Sequence, residues 1–328
     1  MAKQTFRNLD GSGAQAFANV FRWAVTDRLT GKRIRHRPGP PAPAVEVSPE
    51  SLRQVPAEGE GIRLTWLGHA SWLVQLDGVS LVIDPVLGPS IGGVVPRLAG
   101  LPIGVDSLPP IDATLVTHSH RDHLDLPTVR RIGARVISGL GMRRHFPRSL
   151  VCEELDWWKA TNVRGVRITF VPSQHWSNRG LLDINQSLWG GFVLEGSDGA
   201  VYHSGDTAYF DGFQEIGKRF PRLSAALLPI GAYQPEWFMR RQHMNPEDAI
   251  QAFIDLSAHE FFAMHWGTFQ LTDEPISEPP QLLEKLWSER GLDESKAHVL
   301  KIGEFAMLRE GQPSEALVAK GKAPAANP

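Results

Sequence analysis

From Ile62 to about Glu310 the chain breaks into short apolar or alternating runs separated by turn residues. Leu64–Leu67, Trp72–Leu76, Ser80–Ile83 and Thr114–Thr117 are four such runs, punctuated by Gly68, Asp77-Gly78 and Asp84-Pro85, and they read as strands. The same pattern predicts strands at Arg135–Ile137, Arg167–Val171, Gly191–Leu194, Ala200–His203, Ala225–Leu228, Phe262–His265 and His298–Ile302. Helical periodicity marks Leu126–Ile132, Gly212–Phe220, Pro246–Ser257 and Pro280–Arg290. Pro246 suits a first helical turn, with Asn245 in front of it as N-cap. Strands outnumber helices and the early ones come in hairpin-like pairs. A layered α/β or α+β domain is expected, its sheets covered by helices.

The flanks read differently. Residues 1–60 form an N-terminal arm, with a helix around Ala14–Arg28. A basic, Pro-rich segment, Lys32–Pro49, follows and reads as an extended, poorly packed, solvated linker. Residues 311–328, rich in Ala, Lys and Pro, read as a disordered tail. Within the domain, Pro85–Val105 carries Arg97 as its one charge, and its prolines and glycines argue against a membrane-spanning helix. It reads as a long apolar loop.

Composition narrows the class. At 328 residues, 42% apolar and 21% charged, the chain can bury a substantial core. A net charge of −2 argues against a protein that grips nucleic acid. The single cysteine, Cys152, excludes an intrachain disulfide and a cysteine metal site and fits a reducing compartment. The N-terminus has no apolar core long enough for a signal peptide, so a cytoplasmic location is expected.

The densest chemistry follows the run that ends at Val116: residues 117–125 read THSHRDHLD. In an extended or tightly turning segment His118 and His120 project to one side, and a turn aims Asp122 and His123 at a neighbouring point. That geometry suggests two metal positions served from one loop. Imidazole and carboxylate without thiolate suit zinc, and can also hold manganese or iron. Two zinc ions that share a bridging carboxylate and leave one position for water need about seven protein ligands. The loop supplies four. His175, Asp206 and His265, each at the end of an expected strand, complete the set. His69, in WLGHAS, either faces the site or caps a turn. His203 reads as packed within a strand, and His36, His145, His259 and His298 carry no signal.

The ordered set H-x-H-x-D-H, His, Asp, His resembles the metallo-β-lactamase superfamily. The resemblance implies an α/β fold, an αββα sandwich over residues 61–310, with a two-metal hydrolase site at one edge of its paired sheets. It implies one Zn2+ on His118, His120 and His175 and a second on Asp122, His123 and His265, bridged by Asp206 and a hydroxide. A narrower likeness runs through WLGHAS (66–71), DP (84–85), LPPIDATLVTHSHRDHLDLPT (108–128), QHWSNRGLLDIN (174–185) and SGDTAYFDGFQEIGKRF (204–220). LLPIGAYQPEWFMRRQHMNPEDAI (227–250) and MHWGTF (264–269) extend it. These segments resemble the family of N-acyl-phosphatidylethanolamine-hydrolysing phospholipase D, zinc phosphodiesterases of membrane lipids. That likeness implies a carboxylate behind the metal ligands at Asp84, a substrate site at Gln242 and His243, and a homodimer. The 85–105 loop matches no family signature and is expected to shape substrate access.

Two metals about 3.5–4 Å apart can hold one hydroxide and lower the pKa of its parent water, for in-line attack on phosphorus. Asp122 is the expected group to orient that hydroxide and accept its proton. His243 either binds a phosphate oxygen or protonates the leaving alkoxide, and Asp84 fixes a ligand imidazole by accepting its second N–H. The expected function is a zinc-dependent phosphodiesterase acting on N-acyl-phosphatidylethanolamine-like phospholipids. Peripheral membrane contact would run through the apolar 85–105 loop and the basic Arg33–Arg37 stretch. Trp72, Trp157, Trp158, Trp176, Trp189 and Trp237 are expected mostly to fill the core. The alternative is a lactonase or sugar-phosphate hydrolase on the same fold. A nuclease fits less well because the chain is mildly acidic. An iron-based oxygen-reducing protein fits less well too, since its kind places Glu where His120 stands. A non-catalytic scaffold would be expected to lose ligands, and none is missing.

Overall fold

The computed structural model describes residues 4–14, 19, 22–30, 39–180 and 182–309. β1 (Ile62–Gly68), β2 (Ser71–Leu76) and β3 (Val79–Ile83) are antiparallel neighbours. Asp77 and Gly78 turn β2 into β3 with φ of 48° and 71°, the left-handed pair that a two-residue hairpin needs to match strand twist. Within the 85–105 segment β4 (Ser90–Ile91) and β5 (Val95–Pro96) make a small separate hairpin. β6 (Ala113–Val116), β7 (Val136–Gly139) and β8 (Cys152–Leu155) then extend the first sheet in parallel from β3.

The second sheet opens with β9 (Ala160–Val163), β10 (Val166–Val171), β11 (Gly191–Gly196) and β12 (Gly199–His203), all antiparallel. It continues in parallel through β13 (Leu223–Pro229), β14 (Glu260–Met264) and β15 (Ala297–His298). β16 (Phe305–Leu308) crosses back to pair with β1, so each of the two sheets has seven strands. The longer helices are α1 (Leu126–Ile132), α2 (Gly212–Arg219), α3 (Pro246–Leu256) and α4 (Glu278–Glu289). α1 sits behind the first sheet, Val129 against Val116 and Val136. α3 lies on β13, flanked by α2 and α4. The layers run helix, sheet, sheet, helix: the expected αββα sandwich.

Both faces of the central strands are buried, which is why they read as apolar runs rather than strict alternations. On β2, Trp72 and Val74 enter the core between the sheets, where Trp72 meets Phe262 of β14 edge-on at 6.0 Å. Leu73 points the other way, into a cluster with Leu67 and Val82 that Leu52, Leu87, Ile103 and Leu108 cover. The 85–105 segment is therefore largely a lid on the outer face of the first sheet. Its hairpin tip, with Val94 83% exposed, reaches solvent, as do Leu98 and Leu101 further along.

Besides the β4–β5 hairpin, found where a loop was expected, three strands lie outside the sequence expectation. β8 and β9 are sheet edges with partly exposed, polar sequences, CEEL and ATNV, and so carry no apolar run. β16 is the third, and Ile302, expected in the strand that is β15, instead makes an isolated bridge with Ala44. That bridge belongs to the arm, whose described residues pack on the domain rather than trail from it. The Ala42 amide donates to Gly267 O at 2.8 Å, and Pro43 and Val45 bracket Ile302 with backbone hydrogen bonds. At Gly267 φ is 69° and Ala42 lies 2.5 Å from where a Cβ would stand, so only glycine admits the arm there. Of the helix expected over 14–28, the structure describes a π-type turn, Arg22–Thr26, running into one helical turn, Asp27–Leu29. Residues 15–18, 20–21 and 31–38, with the Arg33–Arg37 stretch, and the 311–328 tail lie outside the described residues. Among the described residues no helix is long and apolar enough to cross a membrane.

α3 begins as its sequence indicates, with Pro246 in the first turn and the Asn245 side chain accepting from the Asp248 amide at 2.9 Å. Replacing Asn245 by Ala should lower the unfolding free energy by roughly 0.5–2 kcal/mol. A urea titration would show this as a lower midpoint at unchanged slope, and an unmoved midpoint would remove the cap from the account of α3.

Candidate metal centre

The chemistry-bearing side chains stand where strands end. The 117–125 loop follows β6, His175 and Asp206 lie beyond β10 and β12, His265 follows β14 directly, and His69 turns β1 into β2. Asp84, fully buried at the end of β3 with φ of 43°, organises the loop. One carboxylate oxygen accepts from the Thr117 amide at 2.8 Å. The other accepts from the Thr117 hydroxyl at 2.6 Å and faces His123 Nδ1 at 2.7 Å. With Nδ1–H committed to Asp84, His123 turns its Nε2 lone pair inward. The Thr117 hydroxyl, donating to Asp84, leaves its oxygen to accept from His118 Nδ1–H at 3.0 Å, so His118 also points Nε2 inward.

Two groups of ligand atoms result, each drawn together within 4.8 Å: His118, His120, His175 and Asp206, and His69, Asp122, His123 and His265. In the first, His118 Nε2 lies 2.9 Å from His120 Nδ1, which lies 3.2 Å from His175 Nε2. In the second, Asp122 Oδ2 faces His69 Nε2 at 3.3 Å, His265 Nε2 at 3.6 Å and His123 Nε2 at 3.8 Å. Asp206 reaches both groups. Its Oδ1 is 3.2 Å from His265 Nε2, and its Oδ2 is 3.1 Å from His123 Nε2, 3.8 Å from His175 Nε2 and 4.0 Å from His118 Nε2.

The donor set fits two cations. Tetrahedral ligands about 2.0–2.1 Å from a zinc ion stand roughly 3.4 Å apart, close to the separations found here. Buried polar atoms without hydrogen-bond partners gather at this point, among them His123 Nε2, His265 Nε2 and Asp206 Oδ1, and a cation would satisfy all three. Burial pushes His118 well below the usual imidazole range, His120 to about 4, and His69 and His175 to about 3, so these rings offer neutral lone pairs at pH 7. Burial alone would raise the carboxyls of Asp206 and Asp122, but the imidazoles around them, His123 first, hold both well below the carboxylate range. His123 and His265 run the other way. Burial opposes their charge, yet the facing carboxylates, Asp206 first, raise His123 well above its usual range and His265 to about 9. A bound cation takes the place of those protons.

All seven residues read from sequence as metal ligands are thus brought together, with Asp84 behind them. His69 resolves as a member of the second group rather than a turn cap. Its amide is held by Thr268 Oγ1 at 2.8 Å, and its carbonyl accepts from the His265 amide at 3.0 Å. Gln242 and His243 arrive just before α3. The Gln242 carbonyl accepts from His175 Nδ1–H at 2.8 Å, and its side-chain Oε1 is buried without a partner. His243 Nδ1 stands 3.9 Å from Asp206 Oδ2, so the ring overlooks both groups. Trp176 meets His120 edge-on at 4.7 Å, while Trp72 and Trp189 are core residues and Trp237 is half exposed. Two contributors carried no sequence signal: Thr117, masked as a strand end, and Asn8 of the arm, whose Oδ1 accepts from the His175 amide.

Comparison with known proteins agrees with this geometry. Residues 80–266 match the β-lactamase superfamily domain model. An N-acyl-phosphatidylethanolamine-hydrolyzing phospholipase D of Caenorhabditis elegans is 34% identical over 253 residues, 70% of this chain and 71% of that protein. A metallo hydrolase from the archaeon Ignicoccus hospitalis superposes with a TM-score of 0.59 at 25% identity, over 76% of this chain and 98% of that one. A metallo-β-lactamase fold protein of Bacillus subtilis superposes with a TM-score of 0.52 at 14% identity, over 75% and 99% of the two chains, and shows the fold. This chain belongs to the β-lactamase superfamily, with the metallo-β-lactamase fold and the paired His/Asp groups of a metal-dependent hydrolase.

Proposed function

We propose that the chain is a two-zinc phosphodiesterase of the phospholipase D type, acting on N-acyl-phosphatidylethanolamine-like phospholipids. The observation that carries this reading is Asp206, one carboxylate within reach of imidazoles from both groups. A thiolate-free set of imidazoles and carboxylates suits zinc, and the likeness to the nematode phospholipase D supports the substrate class. Two cations held there supply Lewis acidity for a phosphoryl oxygen and a nucleophilic water at neutral pH.

The chain's own residues do the rest. Asp122, held ionised, orients the attacking water and accepts its proton. His69, 3.3 Å from Asp122 Oδ2, keeps that carboxylate in place. Burial brings His243 to about 3, so it meets the substrate neutral and donates a hydrogen bond to a phosphoryl oxygen. Gln242 offers its unpartnered amide oxygen beside it. Hydrolysis forms a bond from the water oxygen to phosphorus and breaks that between phosphorus and the ethanolamine oxygen, which leaves with the proton that Asp122 accepted, giving a phosphatidic acid and an N-acylethanolamine. The lipid would be met at a bilayer surface. Exposed Leu9 and Ile184 lie on segments tied to the His175 loop through Phe6 N to Asn185 O and Asn185 N to Ser177 O, both at 2.8 Å. A cytoplasmic homodimer in peripheral membrane contact completes the proposal.

Metal analysis of the purified chain, joined to turnover of phosphodiester, lipid and lactone substrates, tests the reading. Two zinc ions per chain and hydrolysis of an N-acylated phosphatidylethanolamine are expected, and lactone turnover without phosphodiester turnover would replace it with the lactonase alternative. Asp122→Asn should reduce kcat by roughly 100- to 10,000-fold with both metals retained; near-normal kcat in a metal-replete variant would remove Asp122 from the proton-accepting role. Chelation should abolish turnover and lower the unfolding temperature, because ligands assembled by folding stabilise the folded state when they bind metal. Activity that persists in a chain shown to be metal-free would end the metal reading.

A further inference from the structure

His175 belongs to the first of the two groups. It stands on the 172–178 loop beyond β10, next to the isolated bridge that Gln174 makes with Ala208. Two contacts fix it besides any cation. Its Nδ1–H donates to Gln242 O at 2.8 Å, and its backbone amide donates to Asn8 Oδ1 at 3.1 Å. Asn8 is 6% exposed, and the same Oδ1 accepts from Trp189 Nε1 at 2.9 Å. The asparagine is itself locked. Its Nδ2 donates to Ser12 Oγ at 3.1 Å, and its backbone closes a turn with Gly11 and Ser12 at 2.9 Å each. Asp10 adds a second tie, accepting from Gln174 Nε2 at 2.8 Å, and the Phe6 amide adds a third at Asn185 O. Residues 6–12 thus form a strap across the loop, and strap and loop together line a cavity of about 450 Å³ that His175 and Gln242 also line.

From this geometry we infer that Asn8 is a positioning residue for His175. One neutral oxygen accepts from the His175 amide itself and from the Trp189 indole, while the residue before His175 is held by Gln174 N to Thr207 Oγ1 and Ala208 N to Gln174 O, both at 2.9 Å. Without the Asn8 oxygen the His175 amide is left buried and unpaired, while the Trp189 indole N–H keeps its bond to Ser173 O at 3.1 Å, and the loop must move to find the His175 amide a partner. The Gln242 carbonyl fixes the ring at its Nδ1 but leaves the backbone free. Fixing both ends of the residue is what places Nε2 within bonding reach of a shared point with His118 and His120. The inference rests on the reading of the site as a cation centre and is independent of the substrate.

The test compares full-length Asn8→Ala and Asn8→Asp. Zn2+ affinity by chelator competition, hydrogen exchange at the His175 amide and the visible spectrum of the Co2+-loaded chain are read in parallel. Asn8→Ala should bind its first cation roughly 10–100-fold more weakly, exchange the His175 amide faster and shift the Co2+ bands. Asn8→Asp keeps an acceptor oxygen and should restore all three. Unchanged affinity and exchange in Asn8→Ala overturn the inference, and so does an aspartate variant as impaired as the alanine one. If Asn8→Ala does not fold, an aspartate variant that folds and binds metal normally supports the acceptor role, and one that does not overturns it. An unaltered chain that binds no cations would sink the metal reading, while the exchange measurement would still decide whether Asn8 holds the loop.

Discussion

The structure depends on a buried carboxylate, that of Asp84. A carboxylate with no access to water is tolerated only when donors surround it, and Asp84 draws its donors from the loop that carries His118, His120, Asp122 and His123. The Thr117 amide and hydroxyl and the His123 imidazole all turn toward it. Its own backbone is held by Leu115 O at its amide and by the Ser71 hydroxyl at its carbonyl, which ties the ends of β2, β3 and β6 at one place. Satisfying one carboxylate therefore closes the edge of the first sheet. It also commits one nitrogen of His123 directly, and one of His118 through Thr117, and leaves the other nitrogen of each ring facing the centre.

The second sheet completes the centre by the same logic of strand ends. β10, β12 and β14 end beside the 117–125 loop, and the residues beyond them deliver His175, Asp206 and His265. The charges balance through contact. Imidazoles around Asp206 and Asp122 keep both carboxylates ionised in spite of burial, and those carboxylates keep His123 and His265 protonated when nothing else is there to share. An arrangement of buried acids facing buried bases is poised to exchange protons for cations. It also explains why so many unpartnered polar atoms lie within one small volume. Elsewhere a buried orphan atom signals a defect; here the group signals a ligand.

The parts that pack around this centre come from segments of quite different sequence character. The apolar 85–105 stretch covers the outer face of the first sheet with Leu87 and Ile103 and sends a short hairpin into solvent. The polar, Pro-rich arm contributes Ala42 against Gly267, directly after the His265-Trp266 pair, and Asn8 against His175. The Asn8 contact does not follow from hydrophobicity, because it is made by an amide side chain and a backbone N–H.

The sequence by itself, with the family resemblance its motifs carry, indicated the sandwich, its central strands and seven of the eight side chains that gather in the two His/Asp groups. Central strands buried on both faces must be apolar throughout, Asn245-Pro246 is a helix start by local geometry, and three histidines and two acids in nine residues have few uses other than a metal. What only the tertiary structure decided lies at edges and over long separations. β8 and β9 carry no apolar signature, since an edge strand needs to bury only part of its surface. Whether His69 capped its turn or joined the centre depended on the distance to Asp122, 53 residues away. That Asn8 reaches His175 across 167 residues was decided by the folded chain alone, because a hydrogen bond between an amide side chain and a backbone leaves no periodicity in either segment.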